Sequence, residues 1–216
     1  MIKRKKIMIV FGTRPEAIKM APLIQAFRKK PEEFDLKVCT TSQHRQMLDQ
    51  VLEVFEIRPD FDFNLMKNNQ ELTNLTSSIL LEMKNLFLKY SPEILLVHGD
   101  TTTTFATSLA AFYYSIPVGH VEAGLRTYNL KAPYPEEFNR QITTKIANWH
   151  FTPTAYSKKN LLSEGIKNSS ISVTGNTVID AMNWVLKKIH RDEDLKKKII
   201  KKLNKNLLFD WNVKKF

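Results

Sequence analysis

Acids and bases in this chain cluster at the ends of short apolar runs: Arg14 and Lys19 in VFGTRPEAIK, Asp100 in LLVHGDTTTT, Glu122 in GHVEAGLRT, and Glu136 in PYPEEFNR. Carboxylates crowded into a partly desolvated cleft push their pKa values apart, so one stays protonated while another accepts a proton. Arginine and helix N-termini beside such acids suit an anionic leaving group such as a diphosphate. The chemistry that fits is proton movement beside a nucleotide-linked substrate.

Each of these residues has a plainer explanation when taken singly. Asp100 before Thr101–Thr104 reads as a helix N-cap. Glu122, a lone acid near Arg126, reads as half of a structural ion pair. Glu136 and Glu137 follow Pro135, an ordinary place for acids in the first turn of a helix. Gly12 reads as a position where backbone amides approach a ligand. His44, His98, His120 and His150 lack metal-ligand spacing and no HExxH helix is present, so no metal is expected. The turn GTRPE is neither GxGxxG nor GxxxxGK[ST], which argues against nicotinamide chemistry and ATP hydrolysis. What the single explanations leave out is convergence, and convergence depends on the fold.

Periodicity supplies that fold. Strands are predicted at 6–11, 36–41, 93–99, 117–121, 149–152 and 171–174. Helices are predicted at 16–30, 45–55, 71–90, 101–114, 136–147, 155–163 and 177–189, with a connector rich in Pro, Asp and Asn at 58–70. Ile18, Ala21, Ile24 and Phe27 share one helical face. Leu72, Leu75, Ile79, Met83, Leu86 and Phe87 share another. EILLVHG is nearly all apolar, as expected of a strand covered on both faces. Alternating strands and helices imply an α/β, doubly wound parallel sheet of Rossmann type. Ligands of such sheets bind beyond the carboxyl ends of the strands, where Arg14, Lys19, Asp100, Glu122 and the Glu136 region gather.

Composition bounds the remaining possibilities. The chain has 216 residues and a net charge of +11. Four basic residues lie in 1–6, and eleven basic against four acidic lie in 187–216, so the body between them is balanced. A lysine-rich tail can touch nucleic acid or an anionic membrane. Leu195, Ile199 and Leu203 instead favour a solvated helix with one apolar stripe, and neither a nucleic-acid nor a membrane partner is expected. No apolar run is long enough to span a bilayer or form a signal core, which points to the cytoplasm. Cys39 is the single cysteine, so an intramolecular disulfide is impossible.

FGTRPEAIKMAPLI, TSQHRQMLDQVL, VHGDTTTTFATSLAAF, PVGHVEAGLRT, PYPEEFNR and VTGNTVIDA together resemble the non-hydrolysing UDP-N-acetylglucosamine 2-epimerases, in one order from about residue 6 to 190. The resemblance implies the N-terminal half of a glycosyltransferase-B-type fold. It also implies interconversion of UDP-GlcNAc and UDP-ManNAc for surface polysaccharide synthesis, without a cofactor. UDP is eliminated to leave 2-acetamidoglucal, then re-added with a proton delivered to the opposite face. Asp100, Glu122 and Glu136 match the family's catalytic acids. Arg14 and Lys19 match its basic positions near substrate, and Arg140 is placed with them. Gln43, His44 and Gln46 match a second, regulatory UDP-GlcNAc site, although Asn69 stands where some members carry arginine.

The family continues for roughly another domain's length, including a GHRREN-like loop with a catalytic histidine. Residues 1–190 are therefore expected to form an N-terminal epimerase domain and residues 191–216 a basic helical tail or interdomain segment. Alone, the chain is expected to show little or no epimerase activity. The alternatives are a hydrolysing 2-epimerase, and a non-catalytic or split half that docks onto a separate C-terminal half. The family resemblance also implies a homodimer.

Overall fold

In a computed structural model the described residues are 3–41, 45–65 and 71–206. Their elements are β1 Lys5–Phe11, α1 Arg14–Arg28, β2 Phe34–Thr40, α2 Arg45–Val54, β3 Phe61–Asp62, α3 Leu72–Lys89, β4 Ile94–His98 and α4 Thr102–Tyr113. There follow β5 Val118–Val121, α5 Glu136–Ile146, β6 Trp149–Thr152, α6 Ala155–Ser163, β7 Ile171–Val173, α7 Val178–Arg191 and α8 Glu193–Asn206. The predicted elements all form, each within a few residues of its expected limits.

The strands make one seven-stranded sheet in the order β3-β2-β1-β4-β5-β6-β7, with every neighbouring pair parallel. From β1 the chain winds outward through β2 and β3, then returns to place β4 on the other side of β1. This reversal opens a crevice at the carboxyl ends of β1 and β4, the usual ligand position of an open α/β sheet.

Period-two alternation along β1 divides the core between the two faces. Ile7, Ile9 and Phe11 pack with Met20 and Ile24 of α1, Leu48 and Leu52 of α2, and Ala181 of α7. Met8 and Val10 face the opposite way, onto Ile79 and Met83 of α3 and Ala106 and Ala110 of α4. Both faces being covered explains the continuous apolar run of β4. Cys39 is buried in the second core, where burial raises its thiol pKa.

Two expectations need correction. The 58–70 connector contains β3, whose two residues pair with β2 through Cys39↔Phe61 and Thr40↔Asp62; so short an edge strand is created by pairing and leaves no periodic signal. Leu72 belongs to the apolar side by spacing, yet it opens α3 and is 39% exposed, because the first turn projects past the core. No helix among the described residues is long and apolar enough to cross a membrane.

Candidate active site

The turn from β1 to α1 is closed by the chain's own side chains. Thr13 caps α1, and Glu16 completes a capping box by accepting from the Gly12 and Thr13 amides at 3.0 and 2.8 Å. Its other oxygen accepts from the hydroxyls of Thr101 and Thr104 at 2.8 and 3.2 Å. Glu16 thus ties the β1 turn to the β4 turn from a buried position that raises its pKa. Gly12 is expected where the lack of a Cβ lets backbone amides approach a ligand; its own amide is taken by Glu16. The glycine serves packing instead: a Cβ would lie 2.2 Å from Thr41 Oγ1 and 2.3 Å from Thr103 Oγ1.

Asp100 does not cap α4. Thr101 does so, accepting from the Thr104 amide at 3.1 Å, which leaves the Asp100 carboxylate available beyond β4. Arg140 Nη1 donates to Asp100 Oδ2 at 3.1 Å, while Arg140 Nε and Nη2 hold Glu137 Oε2 at 2.6 and 2.5 Å. Asn139 Nδ2 donates to the Asp100 carbonyl at 2.9 Å. Burial raises the Asp100 pKa; Arg140 and Lys19 oppose the rise, and the charges of Glu136 and Glu122 add to it. Burial also works against ionisation of Glu137, but Gln141, Arg140 and the Thr127 and Tyr128 amides hold its pKa down to about 2. The two acids flanking Arg140 are therefore driven in opposite directions.

Glu122 follows β5 and adopts φ +63°, a left-handed conformation that costs a non-glycine residue energy. Its carboxylate pairs with Lys19 Nζ, one turn into α1. The expected pairing with Arg126 does not occur: Arg126 Nε donates to Glu164 on the far side of the loop at 2.7 Å. Buried His98, ending β4, brings Nε2 to 3.8 Å from Glu122 Oε2. Half-buried Glu136 opens α5 in its first turn. Lys19, Asp100, Glu122, Glu136 and Arg140 therefore form one electrostatic cluster, with Asp100 at its centre.

Comparisons with known proteins converge on one group. The profile of the family UDP-N-acetylglucosamine 2-epimerase matches residues 25–209. A UDP-N-acetylglucosamine 2-epimerase of Campylobacter jejuni is 52% identical over 97% of this chain and 55% of its own. That of Bacillus subtilis is 60% identical over 86% of this chain and 49% of its own. The chain belongs to the UDP-N-acetylglucosamine 2-epimerase family. Among solved structures, the Neisseria meningitidis UDP-GlcNAc 2-epimerase bound to UDP-GlcNAc superposes with a TM-score of 0.87 at 54% identity, covering 92% of this chain and 54% of that one. The chain thus spans about half the length of the relatives it matches. Its sheet is a Rossmann-like unit of the glycosyltransferase-B-type architecture, as the epimerase resemblance implied.

Of the other residues matched to epimerase positions, Arg14 makes no hydrogen bond or ion pair with the described residues of the cluster, and the side chains of the rest are not described. Arg14, the first residue of α1, is exposed and borders a cavity of about 390 Å³ with Ile18, Val51, Phe55, Ala181 and Met182. Gln43, His44 and Asn69 lie outside the described residues; Gln46 belongs to α2, and its side chain is likewise not described. Among the described residues, no group of histidine, cysteine or acidic side chains is arranged to hold a metal.

Three functional groups escaped sequence reasoning. Glu16 carried a signal in the Thr13-x-x-Glu16 capping spacing. Glu137 carried none that separates it from Glu136. The burial of His98 beside Glu122 depends on strand register, with His98 opposite Val121 across β4 and β5.

Proposed function

We propose that this chain provides the acid/base face of a non-hydrolysing UDP-N-acetylglucosamine 2-epimerase, which interconverts UDP-GlcNAc and UDP-ManNAc by eliminating and re-adding UDP. The observation that carries the reading is the cluster at the β1/β4 switch point, where Asp100 is driven toward its protonated form beside Glu122 and Glu136. Removing and returning the C2 proton on opposite faces needs groups in different protonation states, and unequal environments provide them. Lys19 and Arg14 supply positive charge toward the departing diphosphate, stabilising the charge that develops there. Arg140 acts through Asp100, since it is nine-tenths buried between Asp100 and Glu137.

The reaction proposed is cytoplasmic, acts on the free nucleotide sugar and uses a homodimer. Leu81, Leu88, Phe112 and Tyr113, exposed on α3 and α4, offer an apolar face to a second copy, which sedimentation of the purified chain tests.

The deciding experiment incubates the purified chain with UDP-GlcNAc and follows UDP-ManNAc by NMR. It is run with and without the remaining half of an epimerase supplied as a separate polypeptide. Product formed on mixing, and lost in Asp100→Asn, supports the proposal. No product from a folded mixture sinks it.

A further inference from the structure

His98 ends β4 with its ring on the α1 side of the sheet, and 3% of its surface is exposed. Neither ring nitrogen has a hydrogen-bond partner among the described residues, although folded proteins leave few buried polar atoms unsatisfied. Nε2 lies 3.8 Å from Glu122 Oε2, the oxygen that Lys19 Nζ holds. That separation is too long for a hydrogen bond and short enough for a small rotation of the carboxylate to close. Burial, then the positive charge of Lys19, push the His98 pKa down to about 3. The ring is therefore neutral and carries a single N–H.

We infer that His98 is a positioning residue for Glu122: when Lys19 leaves the carboxylate for an anionic group of the bound nucleotide sugar, His98 donates Nε2–H to Glu122 Oε2. The inference rests on the acid/base reading of Glu122 given above. Lys19 cannot fully serve both anions. A lysine kept on Glu122 favours the carboxylate and weakens it as a base, whereas a neutral donor fixes its direction with less loss of basicity. His98 is the buried donor group already aimed at that oxygen, and its lack of another partner leaves the N–H uncommitted.

The test needs no substrate. The chain with ¹⁵N-labelled histidine is compared with Lys19→Met and, as a second variant, Lys19→Gln, using long-range ¹H–¹⁵N NMR. Release of Glu122 from Lys19 is expected to show His98 as the Nε2–H tautomer, with that proton shifted downfield and exchanging more slowly than in the unsubstituted chain. Adding Glu122→Ala to either variant is expected to abolish the shift. An Nδ1–H tautomer, a proton unmoved in both folded variants, or a shift that survives Glu122→Ala overturns the inference. Turnover plays no part in this readout. A confirmed His98–Glu122 bond with no UDP-ManNAc formed would count against the epimerase reading alone, and turnover without the bond against His98 alone.

Discussion

Arg140 holds two carboxylates at once, Glu137 Oε2 at 2.5 Å from Nη2 and Asp100 Oδ2 at 3.1 Å from Nη1. The closer partner is fully buried and also accepts from the Thr127 and Tyr128 amides, each at 3.0 Å. Asp100 receives only what remains of the guanidinium and is the acid whose pKa rises. Glu137 thereby limits how far Arg140 stabilises the Asp100 anion. Adjacent residues of one PEE sequence thus divide into a buried acid held by Arg140, Glu137, and a half-buried acid whose charge acts on Asp100, Glu136.

The division predicts a pH signature for Glu137. Its folded pKa, about 2, lies below the ordinary 4.5, so the unfolded state binds more protons between those values and stability falls as pH drops through the interval. Urea denaturation at several pH values is expected to show this acid limb in the unsubstituted chain and a flatter one in Glu137→Gln. An unchanged slope would mean that Glu137 is not the acid-labile anchor of the loop.

Asp100 has the opposite sign. A folded pKa raised above 3.8 means that its contribution is present at low pH and is lost as pH rises through the raised value. Asp100→Asn removes that penalty while leaving the Arg140–Glu137 pair in place. The denaturation midpoint at pH 7 is expected to hold or rise. Epimerase turnover in the mixed-half assay should fall by roughly 10²–10⁴-fold, the usual scale of acid/base catalysis. A variant that unfolds more readily and keeps turnover would refute both halves of this prediction.

Glu122 stores backbone strain at φ +63°. Glycine takes that conformation without the steric cost, so Glu122→Gly should be more stable than Glu122→Ala by about 1 kcal/mol. Both lose the Lys19 ion pair, which makes their difference a measure of backbone conformation. Equal stabilities in thermal and urea denaturation would show that no strain is held there.

Much of this architecture was legible in the sequence because buried β strands and amphipathic helices leave strong periodic signals. The rim residues followed, since turns after parallel strands share one edge. Pairings across the edge were not legible. Arg126 stands four residues from Glu122 yet pairs with Glu164, whereas Lys19 reaches Glu122 from more than a hundred residues away. Such choices depend on strand register and loop path. Nor was the cap of α4 legible: Asp100 reads as the N-cap by residue type, whereas the Thr104 amide donates to Thr101.

Gly12 is the position where a single methyl group tests the turn as a packed unit. Thr41 and Thr103 hydroxyls meet at 2.8 Å directly over its Cα, and a Cβ would fall within 2.3 Å of both oxygens. The Gly12 backbone lies outside the left-handed region, so alanine is penalised for the collision and not for its φ. Gly12→Ala is expected to cost about 1–3 kcal/mol from overpacking, plus roughly 1 kcal/mol if the threonine hydrogen bond separates. Thr41→Ala with Thr103→Ala removes both obstructing oxygens. In that background Gly12→Ala should cost markedly less, giving the coupling that neighbouring sites show in a mutant cycle. Additive losses in urea denaturation would mean that glycine is required there for another reason, and the account of the turn as a lock closed by Thr41, Thr103 and Glu16 would fail.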